Sequence, residues 1–244
     1  MIDTHCHVDL YSNPFEIINQ CEREGIVTIG MTNLPSHFEM GYPHVMNCKK
    51  VRLALGLHPL YAKQHSEEFD LFLKCLSKTS YIGEIGLDFS KEGIITKEIQ
   101  LESFQKVLFA LRGQKKILSL HSRKAEREIL ELLVDNKTEN AIFHWYSGPL
   151  SLIDKICESG YYFSINPAMI KSYSGKEIIK KIPKNRLLTE SDGPFVNINN
   201  RVVKPIDIKL VLLHLSVIWN MDLLQVESII NDNFKRIISN IKVY

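Results

Sequence analysis

At 244 residues the chain has the length of one large domain or two small ones, and 45% apolar content is enough for an ordinary buried core. A formal net charge of +2 excludes capture of a polyanion through bulk charge, so any such contact must come from a local patch. Five scattered cysteines (Cys6, Cys21, Cys48, Cys75, Cys157) with no C-x-x-C pair argue against a disulfide framework and for a reducing, cytoplasmic setting.

The first seven residues, Met1-Ile-Asp-Thr-His-Cys-His7, carry β-formers at Ile2 and Thr4 and read as a strand. Alternation along a strand puts His5 and His7 on one face and Cys6 on the other, where a core cysteine is expected. A chain that opens on a strand is expected to have no signal peptide, and no apolar run nears the roughly 20 residues of a spanning helix. Ser12-Asn13-Pro14 opens a helix that stops at Gly25. Further strands are predicted at 26–31, 51–56, 81–86, 116–121, 140–144, 161–165 and 186–190. Helices are predicted at 67–76, 97–112, 125–134, 150–159, within 174–182, at 205–219 and at 223–241, and 36–48 reads as a broken helix. Eight near-continuous apolar strands alternating with helices predict an α/β fold, a single (β/α)8 TIM barrel over 1–244. An open doubly wound sheet is the weaker reading, because no G-x-G-x-x-G follows the first strand.

In such a barrel chemistry sits at the C-terminal strand ends. Those ends carry His5, His7, His58, Glu84, His121, His144 and Asp192. A single histidine there is more often a hydrogen-bonded rim or core residue than a ligand. Glu84 is more telling: a carboxylate inside an apolar strand needs a cation, and its strand offers no Arg or Lys. The convergence predicts a metal centre. The ligand count suggests two divalent ions, with His5, His7 and Asp192 on the first, His121 and His144 on the second, and Glu84 bridging. Two cations about 3.5–4 Å apart suit in-line displacement at phosphorus by an activated hydroxide. Mixed imidazole and carboxylate ligation leaves Zn²⁺, Mn²⁺ and Mg²⁺ open.

Asp3-Thr-His-Cys-His-Val-Asp-Leu10, Gly56-Leu-His-Pro59, Ile82-Gly-Glu-Ile-Gly-Leu-Asp88, Leu120-His-Ser-Arg-Lys-Ala125, Phe143-His-Trp-Tyr-Ser-Gly148 and Leu187-Leu-Thr-Glu-Ser-Asp192 resemble, in order, the motifs of the TatD family of metal-dependent deoxyribonucleases. The resemblance implies an amidohydrolase-like barrel, the same ligand assignment, and a His58 that reaches the scissile phosphate. Departures are Ser191-Asp-Gly-Pro-Phe195 for the usual Thr-Asp-Ala-Pro-Tyr, Trp145-Tyr146 for Cys-Phe, and Asn166-Pro167 after the seventh strand. They put the substrate pocket in question and leave the ligands in place. They also suggest the divergent TatD-like nucleases of multi-gene phage-defence cassettes of the Qat type, which would imply protein partners.

The reading is therefore a DNA phosphodiester hydrolase, an exonuclease trimming single strands or free 3′ ends. Glu84, Asp192 and His58 carry the chemistry: Asp192 can take the proton of the attacking water, and His58 or a metal-bound water assists the leaving oxygen. Arg123 is placed to hold phosphate, against a solvated helix start as the plain alternative. Trp145 and Tyr146 could stack a terminal base, against packing under the rim. Glu190 is placed to hydrogen-bond a ligand histidine. A monomer is expected. Rival readings are an amidase, lactonase or phosphotriesterase on a similar barrel, and a partner-regulated binding or effector subunit. Many of the rival enzymes use a carboxylated lysine where this chain has Glu84.

Overall fold

The computed structural model describes residues 1–239 and 241. Strands β1 (Ile2–Cys6), β2 (Val27–Gly30) and β3 (Val51–Leu53) pair in parallel. Strands β4 (Leu55–Leu57), β5 (Tyr81–Gly86), β6 (Ile117–His121), β7 (Ala141–His144), β8 (Tyr162–Ile165) and β9 (Leu187–Thr189) form a second parallel run. The expected third strand is thus broken at Ala54, whose amide turns to the carbonyl of Gly30 at 2.8 Å. One half pairs with β2 and the other with β5, so β3 and β4 together make one stave. Gly56 lies so close to β2's continuation that a Cβ there would meet the Thr32 carbonyl oxygen at 1.6 Å.

The barrel closes between β9 and β1 through side chains. Thr4 Oγ1 donates to the Thr189 carbonyl at 3.1 Å, and Thr189 Oγ1 donates to that of Ile2. Above them the Asp192 amide donates to the His5 carbonyl at 2.9 Å and the His7 amide to Gly193 at 2.8 Å.

Helices α1 (Pro14–Glu24), α2 (Pro35–Val45), α3 (His65–Cys75), α4 (Lys97–Ala110), α5 (Glu126–Asp135), α6 (Leu150–Glu158) and α7 (Tyr173–Lys181) follow the strands. Asn13 caps α1 by accepting the Glu16 amide, and Gly25 ends it at φ 68°. The predicted broken helix is one helix; Pro43 sits in it two residues before its end. A hairpin, β10 (Asn197–Ile198) and β11 (Arg201–Val202), was not expected, because two-residue strands carry no periodic signal. Asn199 and Asn200 turn it with φ of 50° and 59°, as a primed turn requires. Helix α8 (Ile208–Trp219) starts after a short 3-10 turn rather than at 205, and α9 (Leu223–Ile238) ends before 241; residue 240 of the predicted helix lies outside the described residues.

One end of the barrel is filled by Ile2, Ile29, Met31, Ala54, Tyr81, Ile117, Ile142, Tyr162 and Leu188, with Phe234 and Ile237 of α9 packed against them. The buried carboxylates and imidazoles of the barrel interior gather at the opposite end. Among the described residues no helix is long and apolar enough to cross a membrane. Replacing Thr189 with Val removes one strut of the closure and strands the Ile2 carbonyl. Urea denaturation is expected to show a loss of about 1–3 kcal/mol with unchanged slope.

Candidate metal centre

Strands β1, β4, β5, β6, β7 and β9, or the residues just after them, each deliver one or two side chains to a single point. The Nε2 atoms of His5 and His7 lie 3.3 Å apart, and the His5 ring is fixed from behind by Ser119, Oγ to Nδ1 2.7 Å. Glu84, buried in β5, lies among five imidazoles that divide between its two oxygens. Oε2 faces His7 Nε2 at 3.1 Å and His5 Nε2 at 3.5 Å. Oε1 faces His121 Nδ1 at 2.6 Å, His144 Nε2 at 2.9 Å and His58 Nε2 at 3.4 Å. His144 also stacks on His5 with ring centroids 3.8 Å apart, so it stands between the two sets.

Asp192 adds the second carboxylate. Its backbone adopts φ 46°, a left-handed conformation that Asp tolerates better than most residues. The turn is held by Asp3, whose Oδ1 accepts the amides of Ser191 and His5 at 2.9 and 3.3 Å. Gly193 is required beside it, since a Cβ would meet Tyr11 Oη at 1.8 Å and the Val203 carbonyl at 2.3 Å. Asp192 Oδ1 lies 3.6 Å from His5 Nε2 and 3.9 Å from His7 Nε2 and has no hydrogen-bond partner although buried. An unsatisfied buried carboxylate oxygen is costly, and a divalent cation among these nitrogens would satisfy it. Donor atoms of His5, His7 and Glu84, of His5, His144 and Asp192, and of His58, Glu84 and His121 each lie within 4.8 Å of one another. The donor set fits bound metal.

The charges are tightly balanced. Burial opposes ionisation of Glu84, yet the charges of His58 and His144 and hydrogen bonds from His121 and His144 hold its carboxyl well below the usual range. Burial likewise opposes protonation of His144, His121 and His7, but the facing carboxylates win and hold all three above the ordinary imidazole value. His5, fully enclosed, is pushed well below that value, first by burial and then by the charge of His144. Burial raises the Asp192 carboxyl to about 7.

The other expected residues fall in different places. Arg123 is exposed and Trp145 half-buried, and both line a cleft of about 480 Å³ over the carboxylates, with Phe195 on its wall. Tyr146 does not reach it: the ring is buried against Phe163 and its hydroxyl donates to the Pro149 carbonyl at 2.7 Å, the packing alternative. Glu190 Oε1 lies 3.7 Å from His144 Nδ1, longer than a hydrogen bond. Its oxygens instead accept the Trp145 amide at 3.0 Å, Asn166 Nδ2 at 2.9 Å and the Ser164 hydroxyl. Asp88 was missed by sequence reasoning. It follows β5 by two residues, and its Oδ2 lies 2.8 Å from His121 Nε2. Its only signal was its place in the Ile82 to Asp88 motif.

The family profile described as TatD related DNase matches residues 2–239. The chain belongs to that family. A relative from Methanocaldococcus jannaschii, named an uncharacterized metal-dependent hydrolase, is 27% identical over 96% of this chain and 97% of its own length. Human deoxyribonuclease TATDN3 is 25% identical over 80% of this chain and 78% of its own. The crystal structure of YjjV, a TatD homolog from Escherichia coli, shares the fold with TM-score 0.87 over 97% of each chain at 20% identity. As a TatD member the chain is a metal-dependent hydrolase.

Metal ligands must be deprotonated imidazoles and carboxylates. The upward shifts of His7, His121 and His144 and an Asp192 carboxyl raised to about 7 favour the protonated forms of these groups, so a metal bound through them would displace protons and its affinity would fall as pH drops through 7. Calorimetric titration with Mn²⁺ in buffers of different ionisation enthalpy is expected to show net proton release at pH 6.5. Binding at pH 6 should be at least about tenfold weaker than at pH 8.

Proposed function

We propose that the chain hydrolyses DNA phosphodiester bonds with two divalent ions, trimming a single strand from a free 3′ end. The observation that carries the reading is the division of imidazoles between the two oxygens of Glu84, two on one side and three on the other. On this reading His5, His7, Glu84 and Asp192 would hold one ion, and Glu84, His121 and His144 the other. When bound, such ions lower the pKa of water and neutralise charge building on phosphoryl oxygens.

The remaining work belongs to the chain. Asp192 has a second carboxylate oxygen besides the Oδ1 that faces the histidines, and with its carboxyl raised to about 7 it is suited to take a proton from the attacking water. Burial pushes the His58 imidazole below its ordinary value, and in the neutral form that this favours, Nδ1 accepts the Leu60 amide at 3.2 Å and the proton sits on Nε2, which points toward Glu84. That tautomer makes His58 a donor to a phosphate or leaving oxygen rather than a metal ligand. A cleft of about 480 Å³ is the size of a small-ligand pocket and suits a strand end better than long duplex. Arg123 at its mouth would meet phosphate, and Trp145 and Phe195 would flank a base. The deoxyribonuclease name of the human relative agrees with this substrate.

Digestion of single-stranded DNA labelled at either end, with Mg²⁺, Mn²⁺ or Zn²⁺, tests the proposal. Glu84→Ala and Asp192→Asn are expected to lose at least about 10³-fold in rate, and His58→Ala about 10²-fold. Wild-type rates in the first two variants would overturn it.

A further inference from the structure

Behind the cleft, two buried polar side chains of the outer helices reach the loops that carry His58 and Asp88. His65 begins α3; its Nε2 donates to the His58 carbonyl at 3.0 Å, and its Nδ1 lies 2.7 Å from Ser103 Oγ. Ser103, on α4, lies 3.2 Å from the Gln100 carbonyl one turn earlier. Gln100 is fully buried, and its Oε1 accepts the Asp88 amide at 2.8 Å. Its Nε2 donates to the Gly93 carbonyl at 2.7 Å and to Thr96 Oγ1 at 3.0 Å. Asp88 in turn accepts the Ser90 amide on Oδ1 at 2.8 Å and faces His121 with Oδ2.

These bonds fix orientation completely. A carbonyl only accepts, so the proton of His65 is on Nε2. Burial pushes this imidazole down to about 4, so the ring is neutral, and Nδ1 takes the Ser103 hydroxyl proton. Buried amide and imidazole groups cost free energy unless fully paired, and apolar residues would pack these helices at less cost. What His65 and Gln100 hold are main-chain atoms of two loops whose side chains enter the hydrolytic centre.

We propose that Gln100 and His65 are positioning residues, each acting on its own loop, with Ser103 holding the His65 ring. Gln100 acts through the Asp88 amide on the His121 ring, and His65 acts through the His58 carbonyl on the direction of His58 Nε2. The inference rests on the reading of His58 and His121 as site residues.

The test uses Gln100→Met and His65→Leu, which keep bulk without the polar atoms, and His65→Gln, whose amide nitrogen can replace Nε2. Both apolar variants are expected to lose about tenfold or more in kcat on DNA with KM within about threefold. Long-range ¹⁵N NMR of the imidazoles in metal-free protein should show His121 signals moved by Gln100→Met and His58 signals moved by His65→Leu, each with the other ring unmoved. His65→Gln should restore both rate and signals. Should a larger change unfold the chain, Ser103→Ala, which deletes one hydroxyl, is expected to shift the His58 signals alone. Unmoved imidazole signals in folded variants, or both rings moving together in proportion to lost thermal stability, would overturn the proposal. The NMR outcome decides it even if the wild-type protein cleaves no DNA, a result that would sink the nuclease reading instead.

Discussion

A carboxylate buried in the middle of a barrel strand is the constraint around which the polar end of this protein is built. Glu84 cannot stay ionised there without compensating positive charge, and its compensation comes from imidazoles alone in the observed ion pairs. Imidazoles can exchange protons for a metal, whereas a lysine or arginine would have closed the site. The choice of partner thus decides whether the buried charge is merely tolerated or available for chemistry.

The fold serves that choice by dividing the barrel. One end is apolar and packed against α9, while the opposite end gathers carboxylates, imidazoles and the hydroxyls that orient them. The closure between the last and first strands lies under the site, and the same segment that carries Asp192 exchanges backbone bonds with His5 and His7. Two segments of the site distant in sequence are therefore fixed by one set of hydrogen bonds. The positive-φ conformations of Asp192 and Trp145 also fall here, where strained backbone is held by its surroundings.

The parts of this arrangement that follow strand period were legible in the sequence. Tyr81 to Gly86 is a strand with the predicted bounds, and His5 and His7 share a face because alternation demands it. The rest depends on approach between elements. The break at Ala54 follows from where two neighbouring strands lie, which a run of apolar residues does not encode. Tyr146 and Trp145 are adjacent aromatics with opposite fates, one in the core and one on the cleft wall. Asp88 sits in a loop without period, and His65 and Gln100 occupy helices where polar residues ordinarily face solvent. Only their burial distinguishes them.

Anomalous diffraction from crystals soaked in Mn²⁺ tests the central claim most directly. The account predicts two peaks about 3.5–4 Å apart, one beside each oxygen of Glu84. A single peak that leaves one oxygen of Glu84 unliganded, or ions bound elsewhere with Glu84 still paired only to histidines, would contradict it.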